Sequence, residues 1–241
     1  MNLLHCVYLV LIGIGAAFVQ RVSGFGMGIF SMVFFPHFLP THTAGATISS
    51  LFSCGSSTYN AIRYRKHIVF RMVLPMACAA LVTIPIAVRF AAVVSGRMFQ
   101  LLIGSALIAL SLFFLFFSRR IQMKPTIGNG ILAGTLSGIL SGLFSTGGPP
   151  AVLYLTNATD DKTVYFATIQ LYFCFTNLYA TSMRFVNGMV TRDVLIYAAV
   201  GMIGCVIGDC LGRKVFDKLD SQKLRTIIYI VMILSGIAMF F

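Results

Sequence analysis

The 241-residue chain contains no glutamate, and its first acidic residue is Asp160. Charged side chains make up 10% of it, against about 25% in a soluble domain. That scarcity excludes an ordinary soluble enzyme, a nucleic-acid module and a disordered protein. What fills the space is apolar: 58% of residues are hydrophobic, and the mean hydropathy is +0.92. One soluble core cannot hide that much apolar surface from water. Catalytic signatures are missing as well. There is no H-E-x-x-H, no nucleotide-binding motif, and Arg21-Val22-Ser23-Gly24 is not G-x-S-x-G. The six cysteines include no C-x-x-C pair and mostly sit inside apolar runs, as small buried hydrophobes do.

What the chain does have is apolar segments, at about 3–20, 27–39, 42–62, 70–88, 98–117, 127–143, 149–157, 163–183, 194–211 and 226–241. Eight are long enough to cross a hydrocarbon core about 30 Å thick. Segments 27–39 and 149–157 are not, so half-helices or re-entrant pieces are expected there. The first run has no Lys or Arg before it, unlike a secretory signal, and reads as a retained span. Lys and Arg outnumber Asp 18 to 6 and gather in the short gaps. The gaps at 63–71 and 119–124 favour the cytoplasm. With eight spans they share a side with the N-terminus, and the basic gap 213–225 falls opposite.

Each short segment follows a break: Ser23-Gly24-Phe25-Gly26-Met27-Gly28 and Ser145-Thr146-Gly147-Gly148-Pro149-Pro150. A shift of 121 residues lays Gly13 on Gly134 and Gly26 on Gly147. Over positions 46–77 it gives ten identities in 32, among them Arg63/Arg184 and Arg71/Arg192. The chain therefore reads as two homologous halves, 1–124 and 125–241, each with a broken or re-entrant helix. The expected fold is an all-α polytopic membrane protein with about eight full spans. Paired interrupted segments in two repeats point to a transporter binding site.

The chemistry expected at such breaks is anion binding. A helix that restarts inside a membrane presents backbone N–H groups and the positive end of its dipole. The candidate site is built from Ser23, Gly24, Gly26 and Gly28 with Ser145, Thr146, Gly147 and Gly148. The competing reading is close helix packing through small residues. Polar side chains thread the spans after each break, and Thr47, Ser50, Gln170 and Asn177 are the candidate donors. For any single one of them, interhelical hydrogen bonding is the favoured reading. Arg21, just before the first break, is either an intramembrane functional residue or an interfacial one that snorkels. Asp209 reads as a helix-end residue, since Arg213 and Lys214 follow. His37 and His42 flank Pro40 with no third ligand near, so no metal site is expected.

Two similar halves, each opening with a Gly-rich break (SGFGMGIFSMVFFP at 23–36, SGLFSTGGPPAVLYL at 141–155) and followed by a span containing Ala-Thr-Ile, resemble the TauE/SafE family of membrane permeases. Many relatives have a run of glycines in the first break, which Phe25 and Met27 interrupt here. The resemblance implies export of sulfite or an organosulfonate through the bacterial inner membrane. The sequence thus points to a secondary transporter of a small anion, working by alternating access and needing no cofactor. Its expected partners are the anion and the lipid bilayer, not nucleic acid, and a homodimer is left open. A non-transporting membrane accessory protein is the alternative. An intramembrane enzyme is disfavoured by the missing catalytic set.

Overall fold

A computed structural model describes residues 3–39, 41–116, 123–215 and 221–240. Pro40, Arg119, Arg120, Asp217, Lys218 and Asp220 lie outside the described residues. So do the side chains of His37, His42, Lys223 and Arg225. The described residues are all-helical: α1 (Leu3–Ser23), α2 (Met27–Phe34), α3 (His42–Arg63), α4 (Phe70–Val93), α5 (Gly96–Phe116), α6 (Ile127–Phe144), α7 (Gly148–Ala158), α8 (Lys162–Val186), α9 (Arg192–Val215) and α10 (Ser221–Ala238). In lipid only a helix satisfies its own backbone within one segment, and the apolar runs obey that constraint. Five helices (α1, α4, α5, α6 and α9) are both long and apolar enough to cross a membrane. The chain is a multi-pass membrane protein. Helices α3 and α8 are as long, at 22 and 25 residues, but carry the polar side chains that face the interior.

Helix ends follow local chemistry. The Asp161 carboxylate accepts from the backbone N–H groups of Thr163 and Val164 at 2.7 and 3.1 Å and starts α8. Thr126 starts α6 in the same way through Asn129. Pro149 and Pro150 open α7, where their missing N–H groups cost nothing. Pro75 and Pro85 lie inside α4, as is tolerated in buried membrane helices.

The path of the chain is legible from its contacts. Segment α2 folds back on α1: Gly26 lies beside Val19, Gly15 against the Phe30 ring, and Phe38 stacks on His5 and Tyr8. At 8 residues α2 spans about 12 Å. The 3-10 turn Phe35–His37 and the residue after it then bring the chain level with the start of α1. Helix α3 runs down beside α1 again, with Ser57, Asn60 and Tyr64 bonded to Gln20 and Arg21. Helix α7, 11 residues long, likewise folds back on α6, from Gly147 beside Ser141 to Tyr154 beside Gly130.

The long helices then pair across the two halves of the chain. Helices α1 and α9 run parallel, with Val10 against Gly204, Ile14 against Gly208 and Arg21 against Gly212. Helices α4 and α6 also run parallel, from Pro75 against Gly130 to Ile84 and Ala87 against Gly142. The α3–α8 pair is antiparallel, with Ser50 at Asn177 and Thr58 at Cys174. The α5–α10 pair is antiparallel too, from Arg97 at Phe240 to Phe114 at Tyr229. Phe99 meets Phe144 and Phe114 meets Phe25, so α5 begins near the end of α6 and ends near the end of α1. The C-terminal ends of α1, α3, α5 and α9 therefore share one end of the bundle. The outer faces carry exposed Leu11, Val82, Ile86, Val93, Ile203 and Val206, the surface that lipid covers.

Candidate functional site

The two breaks meet. Met27 begins α2 after Gly24 and Gly26, which take φ of 83° and 103°. That left-handed region is open to glycine and strained for a side chain. Gly28 lies directly on the backbone carbonyl of Ser145, and a Cβ added there would overlap it. Gly148 in turn faces the Phe25 ring. The absent side chain at Gly28 is what lets the backbones of the two breaks touch.

Around this contact lies a cavity of about 20 Å³, lined by Gln20, Gly26, Gly28, Ser53, Ser141, Ser145, Thr146, Gly147, Gly148 and Asn177, with Met27, Ile29 and Phe173 as its apolar part. It has room for about one water. A hydrated oxyanion is larger than that volume. The lining is polar yet carries no charged side chain.

The sequence candidates divide. Gly26, Gly28, Ser145, Thr146, Gly147, Gly148 and Asn177 all line the cavity. Gln170 stands one bond behind it, accepting from Gln20 Nε2 at 3.2 Å and donating to the Gly24 carbonyl at 3.0 Å. Gly24 is thus held from behind. Ser23 turns back on its own helix, donating to the Val19 carbonyl at 2.7 Å. Ser50 binds Asn177 and accepts from Thr181 Oγ1 at 3.0 Å, an interhelical bond rather than a lining one. Thr47 bonds to the Thr43 carbonyl one turn back. Arg21 is buried at 6% exposure: it donates to Asn60 Oδ1 at 2.9 Å and the Tyr64 hydroxyl at 2.7 Å, over the Phe166 ring. Asp209 pairs with Arg213 one turn on, at the helix end where the sequence set it.

Three further residues were not among the site candidates. Gln20 and Ser53 line the cavity although neither lies in a break. Arg184 was visible as the repeat mate of Arg63, but that signal gave no place in the site. It is fully buried, and its guanidinium donates to the carbonyls of Ser141 and Gly142 at 2.8 and 2.9 Å and to Ser145 Oγ at 3.4 Å. Ser145 itself is left-handed at φ 59°, the one non-glycine so placed among the described residues. Its hydroxyl donates to the Ala46 carbonyl at 3.0 Å. Those two bonds hold a conformation that costs of order 1–3 kcal/mol when unsupported.

A family model described as sulfite exporter TauE/SafE matches residues 9–239. A protein of Cupriavidus necator named probable sulfite/organosulfonate exporter TauE is 24% identical over 231 residues, covering 94% of this chain and 90% of its own. No solved structure matches.

Proposed function

Because the chain belongs to the sulfite exporter TauE/SafE family, we propose that it is a secondary transporter that exports sulfite or an organosulfonate across the bacterial inner membrane. It works by alternating access around the cavity between the two breaks, and it is a carrier rather than an enzyme. The observation that carries this reading is the contact of Gly28 with Ser145. Two helix starts, one from each half, converge on a neutral polar cavity inside an apolar bundle. Backbone N–H groups and hydroxyls there attract an anion without a fixed ion pair that would slow its release.

On this reading the halves 1–124 and 125–241 are inverted repeats. The pairing of elements supports it. A shift of 121 residues carries α1 to α6 and α4 to α9, so the parallel pair α1–α9 maps onto α6–α4. The antiparallel pairs α3–α8 and α5–α10 map onto themselves. Gly13 packs on α9 at Gly201, and its mate Gly134 packs on α4 at Met76. Each half passes through the bundle five times if the α2 and α7 segments are counted. An odd count inverts the second half.

That count also accounts for the charge pattern. The described ends of α3, α5 and α9 share one end of the bundle, with Arg63, Arg65, Lys66, Lys124, Arg213 and Lys214 at or near it. By the positive-inside rule that end is cytoplasmic, and the start of α1 faces away from the cytoplasm. The conflict left by eight spans disappears, and the side of the N-terminus reverses. The test is flux: purified protein in liposomes takes up or releases labelled sulfite or methanesulfonate, with and without an imposed membrane potential. Liposomes that move neither anion overturn the reading.

A further inference from the structure

Arg184 is the largest side chain buried completely among the described residues. It enters from α8 and spends its hydrogen bonds on three neutral oxygens: two carbonyls of the last turn of α6 and the Ser145 hydroxyl. No carboxylate among the described residues bonds to it. A cation held inside a membrane protein is costly unless something balances it. The negative end of the α6 dipole offsets about half a charge. The rest is uncompensated, and it lies directly behind two residues that line the cavity, Ser141 and Ser145. The wall is neutral, and the charge sits one layer behind it.

We propose that Arg184 is the positioning residue that sets the charge preference of the anion site, favouring a doubly charged oxyanion such as the sulfite dianion over a singly charged sulfonate. The inference rests on the transporter reading above. Arg184 acts twice. It pins the left-handed turn at Ser145, from which the N–H groups opening α7 are aimed, and it lends the wall a positive field that a second negative charge on the substrate feels in full.

The experiment compares sulfite with methanesulfonate, a strict monoanion, in proteoliposomes at a pH where sulfite is mainly dianionic. The readout is the ratio of their kcat/KM values. R184Q removes the charge and keeps hydrogen bonding. It is expected to cut the ratio by on the order of tenfold or more, the effect of one unit charge a few ångströms behind the wall at an effective protein dielectric. R184K keeps the charge and loses the forked grip, so both rates fall while the ratio stays near wild type. Equal loss of both anions in R184Q, or the same fall in ratio in R184K as in R184Q, overturns the proposal and leaves Arg184 a structural prop. Should R184Q not be recovered folded, R184M decides in its place, since a flexible apolar chain of similar length fills the buried site without a charge. The ratio should fall as in R184Q. An unchanged ratio in R184M refutes the inference. Wild-type liposomes that move neither anion would instead refute the transporter reading itself.

Discussion

Replacing Gly28 by alanine puts one methyl group where two backbones now touch. The added Cβ falls on the carbonyl oxygen and carbon of Ser145, with the Thr146 Cα at 3.4 Å behind them. Neither obstacle is a flexible side-chain end. Ser145 is tied to Ala46 and Arg184, and Gly28 to the second position of α2, so relief requires the breaks to separate by an ångström or more. Overpacking of this kind costs about 1–3 kcal/mol. The gain in helix propensity returns less than about 1 kcal/mol of it. A separation of 1 Å at the binding wall is also enough to cost on the order of a hundredfold in rate. G28A should therefore melt several degrees below wild type in detergent and lose most sulfite flux in liposomes, while still reaching the membrane. Gly128 supplies the control, because a Cβ there meets nothing within 4 Å. G128A should be neutral or slightly stabilising, with full flux. If G28A transports at the wild-type rate with an unchanged melt, the breaks do not meet as described and the site argument fails.

Gly147→Val should abolish flux, because a Cβ at Gly147 already overlaps Ser141 Oγ and the Ser137 carbonyl; undiminished transport would remove Gly147 from the site. Thr146→Ala should raise KM with little loss of kcat, by the equivalent of one hydrogen bond or about 0.5–1.5 kcal/mol, and titrated flux measures it. The Asp161 carboxyl is held below its ordinary value of 3.8 by the backbone N–H groups of Val164 and Thr163. A depressed folded-state value adds stability above the unfolded one, and that stability is lost as pH falls through the folded value. The melting advantage of wild type over D161N should therefore shrink below about pH 4, and a constant difference down to pH 3 would contradict the cap.

Much of the architecture was legible because it rests on local chemistry. Gly24 and Gly26 do end and restart a helix, and Pro149 and Pro150 do open one. Asp209 was expected at a helix end, and it lies there beside Arg213. Legibility stopped where the third dimension decides. Segment 27–39 was too short as a helix, but nothing in its residues said that a 3-10 turn would carry Phe38 back beside His5. The left-handed residue of the second break is Ser145 and not one of its glycines, because bonds from α3 and α8 hold it there. Gln20 could not be told from a helix-end polar residue, yet Ser57 and Gln170 turn it toward the cavity. Thr47 looked like its neighbours and bonds only to its own helix.

The glycine ladder Gly204, Gly208, Gly212 seats α9 on the backbone of α1. Its consequence lies in the order of synthesis. Helix α1 is made before the other described helices, and its partner begins about 190 residues later at Arg192. At about 5–20 residues per second, α1 waits roughly 10–40 s in the bilayer for it. The matching seam between α4 and α6 closes sooner, since Ile127 follows Phe70 by fewer than 60 residues. One seam thus closes early, and the other stays open until α9 has emerged. Bulky substitutions along the α9 ladder strike that later closing step. They should surface as nascent protein cleared by membrane proteases, with normal turnover in whatever fraction survives.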